Sequence, residues 1–332
     1  MLGFFPSLSS VRVLYYIMKE GRGKVMAIFD AHCDVLLKLH EDSKLSFTTS
    51  DSLHVNYQFL KKGGSKVQCF ALFIEPEEPQ EIKFRIALNM IDIFNRKILA
   101  VHDDIKHVRT KQDIANLKQD ELGAVLTLEG CDAIDFDLLK LRTLFRLGIK
   151  SVGMTWSNSN AAADGVEESR GAGLSDFGRQ VVRENNRHKV WTDVSHLSVK
   201  GFWDVVEEAD YLIASHSNAR ALCDHPRNLY DDQIEAIIKH SGMIGITFVT
   251  DFLREPDYAS IDDVLKHIEH ICELGGSSHI GFGSDFDGIS LTPKNLDNYS
   301  FYPELVNCLQ KLYPEELVNG FLFDHFYQAF PE

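Results

Sequence analysis

The sequence predicts an α/β protein of the (β/α)8 barrel class, with extra helices at its C-terminal end. Two observations predict it. Eight short apolar runs alternate with amphipathic, helix-like stretches, and eight strand–helix repeats in roughly 250–300 residues is the count of such a barrel. A doubly wound open sheet is the alternative, but that fold usually carries a glycine-rich phosphate loop after its first strand. Here the position holds "DAHCDV", which has no glycine.

The eight runs are "VMAIFDAH" (25–32), "VQCFALFI" (67–74), "GAVLTLEG" (123–130), "KSVGMTW" (150–156), "VWTDVSH" (190–196), "YLIASHS" (211–217), "MIGITFV" (243–249) and "HIGFGSDF" (279–286). Most are continuously apolar, as strands buried on both faces should be. Parallel strands need crossover connections, and helices are the usual ones. "FDLLKLRTLFRLG" (136–148) carries apolar residues at helical spacing and stops at Gly148. "SDFGRQVVRENNRHK" (175–189) offers Ser175 as an N-cap. Beyond about residue 300 the chain reads as helices packed on the outside of the barrel.

Composition narrows the function. The chain has 34 basic and 49 acidic side chains and a net charge of −15. A nucleic-acid partner would ask for a basic face. No apolar run approaches the roughly 18 residues needed to span a bilayer. Six cysteines, at 33, 69, 131, 223, 272 and 308, lack paired spacing, which reads as a reduced, cytoplasmic chain. Residues 1–25 have no positively charged start and no small-residue cleavage site, and Arg12 interrupts their apolar part, so they do not read as a signal peptide. They read instead as an N-terminal extension upstream of the true start, Met26. "KEGRGK" can be encoded by an unbroken purine-rich run, as a bacterial ribosome-binding site would be.

The ends of the runs are polar in one particular way. The first ends in His32, Cys33 and Asp34, the third in Glu129, the fifth in Asp193 and His196, the sixth in His216, and the eighth in Asp285 and Asp287. In a barrel the C-terminal strand ends converge on one face, where active sites sit. Three imidazoles and several carboxylates around one mouth form a ligand set suited to zinc. In a strand, alternate residues share a face, so His32 and Asp34 should point together and Cys33 away. Asp193 either orients a ligating imidazole or packs near the metals. Asp287 reads as a supporting or turn residue.

The stretches "DAHCDVLLKL", "LTLEGCDAI", "GLSDFGRQVVRENNRHKVWTDVSHLS", "ASHSNARALCDHPRNLYDDQIEAI" and "HIGFGSDFDGI" resemble the zinc-dependent membrane (renal) dipeptidase family, a branch of the amidohydrolase-type barrels. The resemblance implies one metallohydrolase domain over residues 26–332 with two zinc ions. It implies that His32 and Asp34 hold one ion, that His196 and His216 hold the other, and that Glu129 bridges both. Arg227 would bind the free carboxylate of a dipeptide, including one with a C-terminal D-residue, and Asp285 would be the proton carrier. Zinc ions sharing a ligand would lower the pKa of a bridging water, giving hydroxide near neutral pH. The resemblance also implies a homodimer. The signal and anchor sequences of the membrane-bound relatives have no counterpart here.

Two departures matter. Some relatives carry a substrate-binding His after the fourth strand, where this chain has Trp156; Asn158 or Asn160 is then the candidate donor to the tetrahedral oxyanion. Near the C-terminus His325 and Gln328 stand where Asn and Arg are frequent, which reads as a change in outer packing. Two rivals share the ligand set: hydrolysis of an N-acyl amino acid or a lactone, and a catalytically dead metal-binding barrel. The start-site reading is tested by the intact mass of protein expressed from the native gene, which should begin at Met26; a product beginning at Met1 overturns it.

Overall fold

A computed structural model describes residues 27–254 and 258–332. The expected extension, residues 1–25, and the start at Met26 lie outside the described residues. Among the described residues there are nine strands: β1 (Ile28–Asp30), β2 (Ser65–Phe73), β3 (Ile105–His107), β4 (Leu122–Glu129), β5 (Ile149–Gly153), β6 (Trp191–Asp193), β7 (Leu212–Ala214), β8 (Met243–Ile246) and β9 (Ile280–Phe282). All their pairings are parallel. Eight of them close a ring in the order β1, β2, β4, β5, β6, β7, β8, β9 and back to β1. This is the predicted (β/α)8 barrel, and each of the eight apolar runs contributes one barrel strand.

The ninth strand, β3, is not anticipated by the sequence. It pairs with the first residues of β4, from Ile105 with Leu122 to His107 with Ala124, and β5 takes over that edge from Leu126 onward. "IKH" is short and only Ile105 in it is buried, so it carries no apolar pattern to read. All the barrel strands except β2 and β4 are shorter than the runs they come from. The last residues of each run leave the sheet and form the loops over the mouth.

The predicted helices are placed by their end groups. The helix Leu138–Leu147 begins where Asp137 Oδ1 accepts the Leu139 amide (2.7 Å) and ends at Gly148, whose φ of 108° suits only glycine. The helix Asp176–His188 begins where Ser175 Oγ accepts the Gly178 amide (3.0 Å).

The C-terminal helices divide between two places. Tyr302–Leu312 packs outside against the helix Ile261–Glu273, as expected. The last helix, His325–Ala329, does not lie in the outer layer. It closes the N-terminal end of the barrel. Phe326 stacks on Phe29 with ring centroids 5.2 Å apart, and Phe330 meets Trp191 edge-on at 5.0 Å. Around them lie Val67, Cys69, Val125, Ile213 and Met243. A Cβ at Gly281 would fall 2.3 Å from Phe326, so the glycine makes room for the ring. The expected change of outer packing near His325 is therefore an inner plug, with His325 Nδ1 2.9 Å from the Ile280 carbonyl. An open barrel end would expose this apolar interior to water, and two aromatic rings cover it. Phe326→Ala should cost roughly 3–5 kcal/mol of stability by urea unfolding; a loss below about 1 kcal/mol would mean that the ring is not part of the core.

Candidate metal centre

Each polar residue at the mouth is delivered by a strand end or the loop just after it. β1 ends at Asp30, earlier than the apolar run suggests, and Phe29 and Ala31 join the inner apolar cluster. Continued alternation would have put Cys33 with them. Instead the regular ladder stops and Cys33 packs in the other apolar cluster. Asp30 Oδ1 accepts the amides of His32 (3.2 Å) and Ser284 (3.0 Å), and Cys33 forms an isolated bridge with Phe286. His32 and Asp34 do share one side and Cys33 is buried on the other, on either side of the Cys33–Phe286 bridge.

Glu129 is the last residue of β4. Gly130 follows in the left-handed region (φ 82°), where a Cβ would lie 3.1 Å from the Trp156 amide. His196 and His216 sit just past β6 and β7. Asp285 and Asp287 both have positive φ, 63° and 69°, which costs an L-residue free energy and is least unfavourable for Asp and Asn.

These residues form one buried cluster. His32 Nε2 lies 3.3 Å from Asp34 Oδ2, 3.4 Å from Glu129 Oε2 and 3.8 Å from Asp285 Oδ1. His196 Nε2 lies 2.9 Å from Glu129 Oε1, and His216 Nε2 lies 3.7 Å from the same oxygen. The two Nε2 atoms of His196 and His216 are 2.8 Å apart. Glu129 thus turns one oxygen to His32 and the other to the His196–His216 pair. The rings of His32 and His216 stack at 3.9 Å, so the two halves touch. Ligand atoms of His32, Glu129 and His216, and of His32, Asp34 and Asp285, come within 4.8 Å of one another.

The residues fit a metal. His32 Nε2 and Asp34 Oδ1 are buried without hydrogen-bond partners, and a buried polar atom left unpaired is costly unless something binds it. Imidazole nitrogens and carboxylate oxygens are the donors that zinc takes. Burial opposes protonation of His32, but the facing Glu129 and Asp34 outweigh it and hold that imidazole well above its ordinary value. Burial opposes ionisation of Glu129, but facing His32 and His196 outweigh it and hold that carboxyl well below its ordinary range. Burial, joined by Asp34 and Glu129 against His32, pushes Asp285 well above its own. Burial and Arg227 bring His196 down to about 4. Burial and the charges of His32, His196 and Arg227 hold His216 well below its usual value. Both imidazoles are therefore neutral at pH 7, the form that ligates.

Arg227 comes from the loop after β7. It is buried, its Nη2 donates to the His216 carbonyl (3.1 Å), and its guanidinium lies 5.3 Å from the Phe252 ring centroid. Nε and Nη1 are buried with no acceptor. Burial lowers its pKa to about 10, still charged at pH 7. Trp156 stands beside the cluster, 6.0 Å from the His196 ring and 5.3 Å from Phe73.

Of the two asparagines proposed as oxyanion donors, Asn160 is not available to the cluster. Asn160 is used by its own loop: Nδ2 donates to Asp132 Oδ2 and the Met154 carbonyl, and Oδ1 accepts the amides of Ala162 and Ala163. Asn158 is exposed, and its side chain makes no hydrogen bond among the described residues. Asp287 accepts the amides of His54 (2.7 Å) and Val55 (2.9 Å) and so anchors a neighbouring loop. The sequence reading passed over Ser157, Ser195 and Ser215. Ser157 and Ser215 place their hydroxyls 3.3 and 2.8 Å from the Nδ1 atoms of His196 and His216. The repeated Ser-His pairs in "VSHLS" and "ASHS" were the available signal.

A closed parallel barrel with imidazoles and carboxylates gathered at its C-terminal mouth defines a metal-dependent hydrolase. The particular family follows from comparison. The family model described as membrane dipeptidase (peptidase family M19) matches residues 23–332. An uncharacterised dipeptidase of Schizosaccharomyces pombe is 32% identical over 304 residues, which is 84% of this chain and 73% of that protein. A crystal structure of a metallopeptidase from Rhodobacter sphaeroides, liganded with a phosphinate mimic of the dipeptide L-Ala-D-Ala, is 28% identical with a TM-score of 0.86, covering 92% of this chain and 99% of that one. The structure of the M19 metallopeptidase "dipeptidase AC" is 29% identical, also with a TM-score of 0.86, over 92% of this chain and 98% of that one. The chain belongs to the membrane dipeptidase family, peptidase family M19, and is a metallo-dipeptidase, a hydrolase of peptide bonds. No described helix is long and apolar enough to cross a membrane.

Because Glu129 faces both halves of the cluster, Glu129→Ala should lower metal binding in both. Metal content after dialysis against zinc, read by inorganic mass spectrometry, should fall to about half the wild-type value or less; an unchanged content would remove Glu129 from the ligand set.

Proposed function

We propose that the enzyme cleaves dipeptides carrying a free C-terminal carboxylate, those with a C-terminal D-residue included, at two zinc ions. His32 and Asp34 would hold one ion, His196 and His216 the other, and Glu129 would bridge them. The observation that carries this reading is the division of the Glu129 oxygens between the two groups of imidazoles. Zinc bound there would supply an acidified water and polarise the scissile carbonyl.

The remaining work falls to the chain's own residues. Asp285 lies at the cluster and its carboxyl is raised by burial, which suits a group that takes a proton from the attacking water and returns it to the leaving amine. Arg227 has two buried nitrogens, Nε and Nη1, with no acceptor, and its planar fork matches a carboxylate. It borders His216, so the substrate carboxylate would sit on that side. Trp156 and Phe73 offer an apolar wall near His196 and favour an apolar substrate side chain over a charged one. The D-residue is supported by the ligand of the Rhodobacter relative. A cytoplasmic location belongs to the same reading, supported by cysteine positions that follow no disulfide-framework spacing. So does a homodimer, which rests on the family resemblance alone.

The test is amine release from L,L-, L,D- and Gly-D-dipeptides, with an N-acyl amino acid and a lactone beside them, using metal-stripped protein with and without zinc. Zinc-dependent cleavage of the dipeptides, lost on C-terminal amidation, is expected. Arg227→Gln should raise KM for dipeptides about 10–100-fold, the worth of a charge-assisted pair of hydrogen bonds. Equal cleavage of free and amidated peptides would overturn the carboxylate clamp.

A further inference from the structure

Behind His216 lies a carboxylate that takes no part in the reaction described above. Asp193, the last residue of β6, is buried and collects four donors. Its Oδ1 accepts the amides of Ser195 (3.1 Å) and Ser215 (3.0 Å) and the Ser195 hydroxyl (2.7 Å). Its Oδ2 accepts the Ser215 hydroxyl. Ser215 Oγ is in turn 2.8 Å from His216 Nδ1, and Ser195 Oγ accepts the His216 backbone amide (3.1 Å).

The direction of each bond follows from counting hydrogens. A carboxylate only accepts, and a serine hydroxyl has one hydrogen to give. Ser215 donates that hydrogen to Asp193, so toward His216 Nδ1 its oxygen can only accept. Ser195 donates to Asp193 as well, so it has none to offer Ser215 at 3.2 Å. Nδ1 of His216 must then carry the ring hydrogen, and Nε2 is left with its lone pair. The facing ring of His196 is compatible with that assignment. The Nε2 atoms of His196 and His216 are 2.8 Å apart, a distance at which one of them, and only one, carries a hydrogen. With His216 bare, that hydrogen is on His196.

We propose that Asp193 is a positioning residue: acting through Ser215, it locks His216 in the Nδ1–H tautomer, with the Nε2 lone pair aimed at the metal centre. His196 has no such support. Ser157 touches its Nδ1 at 3.3 Å, but no carboxylate stands behind that hydroxyl among the described residues. The metal-free protein therefore holds the two histidines in opposite tautomers, and removing the Asp193 charge acts on His216. In Asp193→Asn an amide N–H would face Ser215, turn its hydroxyl toward His216 and favour hydrogen on Nε2, where it blocks ligation. The consequence for zinc rests on the reading that His216 is a ligand; the tautomer itself does not.

The experiment is long-range 1H–15N NMR of the full chain with 15N-labelled histidine, metal-stripped, beside zinc affinity by chelator competition. Wild type should show His216 as Nδ1–H and His196 as Nε2–H. Asp193→Asn should move His216 toward Nε2–H and weaken one zinc about 10–100-fold, the usual effect of losing a ligand's supporting group, while the other zinc is unchanged. Ser215→Ala, which leaves the Asp193–Ser195 bonds in place, should also release the His216 tautomer and weaken the same zinc. Hydrogen on Nε2 of His216 in the wild type overturns the proposal, as does an unmoved tautomer in both variants. A tautomer that moves while zinc affinity stays within about twofold, less than the loss a supporting group normally causes, upholds the relay and removes His216 from the ligand set.

Discussion

The centre depends on one buried carboxylate being shared. Glu129 has imidazole nitrogens within 3.4 Å of one oxygen and 2.9 Å of the other, and so faces both halves of the cluster. A charge in that position is unfavourable unless it is paired, so its strand must hold it still. β4 does so by being gripped on both edges. β2 pairs with it from Gly123 to Glu129, while β3 and then β5 pair with the other side. The short strand β3 thus belongs to the support of the site, although it lies at the far end of β4.

Chemistry and stability occupy opposite ends of the same strands. At the N-terminal end, Phe29, Trp191, Phe326 and Phe330 form a dry aromatic plug. At the C-terminal end, the residues past β1, β4, β6, β7 and β9 are polar and in part strained, as Asp285 and Asp287 show by their positive φ. Such backbone strain persists only where surrounding bonds over-determine it. Here the Asp287 carboxylate receives two loop amides, and the Asp285 amide donates to the His32 carbonyl (3.2 Å). Asp285 is thereby tied to the loop that bears His32 and Asp34.

Much of this was legible in the sequence. The barrel count, the caps of the two helices at Ser175 and Gly148, and the gathering of His32, Asp34, Glu129, His196, His216 and Asp285 all come from local pattern. Apolar runs report burial, and a barrel necessarily brings the ends of such runs together. The misses share a cause as well. Asn160 looked like a free donor because nothing nearby in sequence shows that Asp132, Met154, Ala162 and Ala163 consume it. The plug looked like an outer helix because an aromatic-rich segment reads the same whichever apolar surface it covers.

The sequence by itself determined the class of fold and the kinds of atom at the mouth. Those follow from residue type and spacing, which are properties of a single segment. Only the tertiary structure decided which oxygen of Glu129 faces which imidazole, which loop keeps its own asparagine, and which nitrogen of His216 carries hydrogen. Each of these depends on donors and acceptors from different strand ends meeting within about 3 Å, where the direction of a hydrogen bond is set by what each partner has left to give.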